Sequence, residues 1–149
     1  MPMIIRHFVI AAACAVVLFS SSAMADQVNT NSENVAIEGY DPVAYFTEAR
    51  PVQGVPDFQS VWQEATWQFA SAKHKSMFEE NPEKYAPRFG GFCAGAMAVK
   101  GHKSEIDPQY WVIVDGNLFL GGEQRAIDLF DKDAGAKIDQ ADQNWKALN

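Results

Sequence analysis

The chain has 149 residues, with 12 lysines and arginines against 19 aspartates and glutamates, a formal net charge of −7. An acidic chain without a basic cluster repels phosphate backbones, which excludes nucleic acid as a partner. Two cysteines are too few for a disulfide framework.

Residues 1–25 read as a secretory signal peptide. Arg6 precedes the apolar run from Phe8 to Phe19, and Ala23-Met24-Ala25 follows as a small-x-small cleavage pattern. A single arginine points to the general secretory route. Ala11-Ala12-Ala13-Cys14 has the look of a lipoprotein box, but the apolar run continues well past Cys14, so a lipid anchor is rejected. Cleavage leaves residues 26–149, enough for one domain that buries roughly two thirds of its unfolded surface. It removes one basic and no acidic residue, so 11 basic face 19 acidic and the charge becomes −8. No further apolar run is long enough to span a bilayer. The expected location is periplasmic or secreted, with no membrane anchor after cleavage. Cys14 leaves with the signal, so Cys93 stands alone in an oxidising compartment.

Residues 26–34 (DQVNTNSEN) are polar and aperiodic and read as a flexible arm. The domain proper is expected over 35–149. Val35-Ala36-Ile37 suits a short strand, and Gly39-Tyr40-Asp41-Pro42 a turn. Pro51, Gly54 and Pro56 punctuate a loop. Phe58 to Trp62 and Thr66 to Ala70 read as strands around a turn at Gln63-Glu64-Ala65, with Trp67 and Phe69 on one face. Ser71 is placed to cap a helix that carries His74 on the face of Met77 and Phe78. Asn81 and Pro82 start another helical turn.

Residues 85–102 (YAPRFGGFCAGAMAVKGH) hold the chemistry-bearing residues. Gly90-Gly91 allows a sharp bend or a close backbone approach. A short helix is expected from Phe92 to Val99, stopped by Gly101. On that helix Cys93 and Met97 would share a face at i, i+4, with His102 just beyond.

Trp111 to Val114, Asp115-Gly116, and Asn117 to Leu120 form a clear hairpin signal. Ala126, Ile127 and Phe130 suit a helix. Ala134, Ile138, Ala141, Trp145 and Leu148 make an apolar helical stripe. Strands and helices mixed without a βαβ rhythm predict a small single-domain α+β fold, antiparallel hairpins packed against short helices and a C-terminal helix.

The wording of several segments resembles the exported bacterial branch of the YHS-domain family. These are Glu38-Gly39-Tyr40-Asp41-Pro42-Val43-Ala44-Tyr45-Phe46, Ala65-Thr66-Trp67 with Phe69-Ala70-Ser71, Gly90-Gly91-Phe92-Cys93, Asp115-Gly116-Asn117-Leu118-Phe119-Leu120 and Ala141-Asp142-Gln143-Asn144-Trp145. The resemblance runs in order through nearly all of 35–148. It implies kinship with small metal-binding modules attached to heavy-metal-transporting ATPases. Where those modules carry cysteines, this chain has Ala44, Ala70 and His74, so that site does not carry over. The exported branch has its cysteine after Gly-Gly, here Cys93.

Thiolate, thioether and imidazole together suit Cu(I). A closed zinc site would want more cysteine or histidine than this chain has. The leading expectation is therefore an exported, non-enzymatic metal-binding or metal-handling protein, copper its metal, with Cys93, Met97, His74 and His102 as candidate ligands. Free cysteine is also among the most buried residue types. The alternative is accordingly a module that binds a small ligand or partner protein in an aromatic groove, with Cys93 structural. A third reading is a thiol enzyme in which His74 activates Cys93. No phosphate loop and no serine nucleophile motif is present.

Overall fold

Two short left-handed turns clasp the start of the domain. The computed structural model describes residues 27–149, and the expected signal peptide lies outside the described residues. Ile37, Glu38 and Gly39 have φ of 44°, 57° and 79°, and Phe89, Gly90 and Gly91 have φ of 57°, 61° and 81°. Between them runs the segment expected as a flexible arm. Val28 and Asn29 are buried in it. The Asn29 amide donates to the Gly90 carbonyl at 2.8 Å, and its own carbonyl accepts from Ile37 at 3.0 Å. Its side-chain amide donates to Gly91 O at 3.2 Å. Asn31 Oδ1 accepts from the amides of Glu33 and Val35, which folds the chain back. The arm reading is thereby corrected for 27–34, because asparagines that looked solvated serve as backbone-like partners.

The first hairpin follows α1 (Ala44–Thr47) and consists of β1 (Val55–Trp62) and β2 (Ala65–Phe69). Its turn has two residues rather than three. Gln63 and Glu64 adopt φ of 48° and 62°, and Ala65 is the first, buried residue of β2. The register is Trp62↔Ala65, Val61↔Thr66, Ser60↔Trp67 and Gln59↔Gln68, with an irregularity between Val55 and Gln59. Ala65, Trp67 and Phe69 are buried in alternation.

α2 (Ala72–Glu80) is capped by Ser71, whose Oγ accepts from the His74 amide at 3.1 Å. α3 (Pro82–Tyr85) is capped by Asn81. α4 (Ala94–Lys100) ends at Gly101, φ 64°. β3 (Trp111–Val114) and β4 (Asn117–Leu120) pair antiparallel through Asp115-Gly116. α5 (Gln124–Lys132) and α6 (Ala134–Leu148) complete the chain. The fold is a small α+β domain of short helices, two two-stranded antiparallel sheets and a C-terminal helix. No helix among the described residues is long and apolar enough to cross a membrane.

β4 divides the interior. Its alternation sends Leu118 and Leu120 into a core with Tyr45, Trp67, Phe69 and Phe78, and Phe119 into a second core with Phe89, Phe130 and Trp145. α4 and α6 pack together over the second core, where the Asn144 side chain donates to Met97 O at 2.8 Å. Of the α6 stripe, Ala141 and Trp145 are buried, whereas Leu148 is 44% exposed.

Candidate functional site

Cys93 is the N-cap residue of α4, with φ −58° and ψ 110°; its carbonyl accepts from the Met97 amide at 3.0 Å, but the two side chains enter different cores. Its side chain packs in the first core with Ile106, Leu118 and Ala126, while Met97 is fully buried in the second. The Cys93 amide donates to Ser104 O at 3.0 Å. A cavity of about 470 Å³ lies beside the thiol, lined by Ala96, Val99 and Ala126 and by the charged Lys100, Glu123 and Arg125.

His102 is exposed, and its Nδ1 lies 3.0 Å from Ser104 Oγ. His74 is buried and doubly engaged. Its Nδ1 lies 2.6 Å from Asp41 Oδ2, and its Nε2 lies 3.1 Å from Thr47 Oγ1. Asp41 has no exposed surface. Its Oδ1 accepts from the amides of Val43 (2.9 Å) and Ala44 (3.3 Å), and Oδ2 also accepts from Ala70 at 2.9 Å. A carboxylate facing Nδ1 fixes the proton there. With a neutral ring, Nε2 accepts the Thr47 proton. With an imidazolium, Nε2 donates and Thr47 turns its proton to Val43 O at 3.2 Å. Either state leaves every member satisfied.

The four residues expected to share a metal thus have four different surroundings: Cys93 in one core, Met97 in the other, His74 on Asp41 and Thr47, His102 at the surface. Among the described residues, no three histidine, cysteine, aspartate or glutamate side chains gather to hold a metal ion. His74 also spends both ring nitrogens on Asp41 and Thr47 and is not placed as a base for Cys93.

A groove of about 920 Å³ lies where the first hairpin's turn, the 86–90 loop and α6 meet. Trp62 and the edge of Trp145 supply its apolar wall, with Trp67 and Phe89 buried behind them. Arg88 pairs with Asp142 across it, and the Arg88 guanidinium lies 5.5 Å from the Phe89 ring centre. The Lys103 ammonium lies 5.0 Å from the Trp145 ring centre and 2.8 Å from Gln27 Oε1. Such cation–ring contacts hold charge beside apolar surface. The groove can hold a ligand with an apolar body and orient a polar end at Arg88, Asp142 and Lys103. Asp41, Thr47 and His74 line neither the groove nor the Cys93 cavity. Sequence reading foresaw aromatic residues as a wall but not which ones, because residues 62, 89 and 145 meet only in the tertiary structure. Asp41 was legible as a turn former, a role it does perform through Val43, but its burial against His74 was not. Compared with known proteins, the chain matches no family model, no curated protein and no solved structure.

Proposed function

We propose that the protein is an exported, non-enzymatic binding module whose small ligand or partner segment occupies the groove walled by Trp62 and Trp145, with Cys93 a structural core residue. The observation that carries this reading is the groove itself: Trp62 and the edge of Trp145, backed by the buried rings of Trp67 and Phe89, for an apolar body, beside Arg88, Asp142 and Lys103 for a polar end. The secretory start of the sequence and the resemblance to exported YHS proteins agree with it.

Titration with 1-anilinonaphthalene-8-sulfonate, an aromatic anion that brightens in apolar surroundings, tests the reading. Saturable binding to the folded protein is expected, weakened by Leu148→Glu at the exposed rim and unchanged by Cys93→Ala. In parallel, Cu(I) is titrated against a competing chelator. Equal, weak copper binding by wild type and Cys93→Ala is expected. Tight binding lost with Cys93, or no saturable dye binding, overturns the proposal.

A further inference from the structure

The first hairpin has one closed edge and one open edge. A two-residue turn makes Trp62 and Ala65 the hydrogen-bonded pair, and Ser60 and Trp67 the next. The N–H and C=O groups of Thr66 therefore point away from β1. They are taken up there, the amide by Asn34 O at 2.9 Å and the carbonyl by Ala36 N–H at 2.8 Å. By the same alternation Val61 and Gln59 point their backbone groups away from β2. β1 is the outer strand of its sheet, and among the described residues nothing pairs with that side.

Soluble proteins blunt such edges with charge, proline or a bulge. β1 carries all three at its start: Pro56, Asp57 and the irregularity between Val55 and Gln59. From Phe58 to Gln63 there is no charge and no proline, and Val61 is 73% exposed.

We propose that this open half of β1 pairs antiparallel with β1 of a second copy, across a two-fold axis at Ser60, to make a four-stranded sheet. With the axis there, Gln59 of each copy exchanges two backbone hydrogen bonds with Val61 of the other, four in all. Phe58 then stands opposite Trp62 of the other copy, an aromatic cross-strand pair. Asp57 falls opposite Gln63, an uncharged neighbour. An axis between Ser60 and Val61 would set Asp57 opposite Glu64 and would face outward backbone groups with inward ones. An axis at Val61 would carry Gln59 into the turn at Gln63, which has positive φ and does not extend a strand. Two acidic copies repel over most of their surfaces, and Phe58 to Gln63 presents an uncharged edge on both, so like can meet like there without facing charge against charge.

Sedimentation of the purified protein over a wide concentration range tests the pairing. A concentration-dependent dimer is expected. Val61→Lys, at a side chain that touches little, should leave the circular dichroism spectrum unchanged and weaken the dimer about tenfold or more through loss of cross-strand contacts and added repulsion. Ser60→Cys should form a covalent dimer on mild oxidation, because facing residues of a non-hydrogen-bonded pair lie about 4.5 Å apart at Cα, within disulfide reach. Gln59→Cys, which faces Val61, should cross-link far more slowly. A chain that stays monomeric at every concentration overturns the proposal. So does a dimer insensitive to Val61→Lys, equal cross-linking of the two cysteine variants, or an edge that takes up a foreign extended peptide while the chain itself stays monomeric.

Discussion

His74 Nδ1 lies 2.6 Å from Asp41 Oδ2, with Asp41 wholly buried and His74 only 8% exposed. The carboxylate collects four donors from three places: the entry to α1, Ala70 at the end of β2, and α2 through the imidazole. It therefore ties these three segments together. Removing one member of a buried, fully bonded pair leaves its partners unsatisfied. Asp41→Ala is expected to cost about 3–5 kcal/mol in urea unfolding. His74→Ala should cost less, since Asp41 keeps three backbone donors. Thr47→Val, at an exposed position, should cost under about 1 kcal/mol. A Thr47 variant as damaging as Asp41→Ala would show that the Thr47–His74 contact, rather than the carboxylate's tie, is what the fold needs.

Tyr45 predicts an alkaline limit. Its hydroxyl donates to Pro108 O at 2.9 Å, and its ring meets Trp111 edge-on. Burial first, and then nearby Tyr40, Asp107, Asp41 and Glu38, push its pKa far above the ordinary 10.0. The folded state thus holds the phenol proton more tightly than the unfolded chain. That contribution is complete below about pH 10 and drains away as pH climbs toward the folded value, by up to about 1.4 kcal/mol per pH unit. Tyr45→Phe should lose about 1 kcal/mol at neutral pH with the hydrogen bond, yet flatten this alkaline limb. Unfolding curves from pH 8 to 11 check both halves.

Three glycines separate strain from collision. Gly90, Gly91 and Gly116 all have positive φ. A Cβ on Gly116 would meet nothing within 4 Å. On Gly90 it would lie 2.0 Å from Gln27 O, and on Gly91 2.5 Å from Ile37 Cγ2. Gly116→Ala should therefore cost only the left-handed backbone penalty, about 1–2 kcal/mol. Gly90→Ala and Gly91→Ala should exceed it clearly, with a thermal midpoint lower than that of Gly116→Ala. Equal losses at all three would mean that the clasp around Val28 and Asn29 contributes little.

Cys93 is 5% exposed and packs among Ile106, Leu118 and Ala126. Cys93→Ala should cost about 1 kcal/mol, the order of one buried methylene-sized group. Native protein should react with a thiol reagent only as fast as local opening exposes the sulfur, and quickly once unfolded in urea. Immediate stoichiometric labelling of the native protein would contradict a structural cysteine.

The amino-acid sequence alone determined the features whose partners lie within a helical turn or a tight hairpin. Ser71 caps α2, Asn81 and Pro82 start α3, Gly101 stops α4, and Asp115-Gly116 turns β3 into β4. Each is decided by φ preference or by a side chain reaching its own backbone, so neighbouring residues suffice. The two-residue turn at Gln63-Glu64 escaped this reading because neither residue advertises positive φ. It is held by the pairing of Trp62 with Ala65 and of Thr66 with the 34–36 segment. Only the tertiary structure decided which polar groups are buried. Asp41 and His74 are 33 positions apart, and the same turn-forming aspartate would be solvated had α2 packed elsewhere. Cys93 and Met97, four positions apart, part company because α4 begins one residue after the cysteine and β4 sets a separate core on each side. Whether a side chain faces water depends on which distant segments cover it, and no local pattern carries that information.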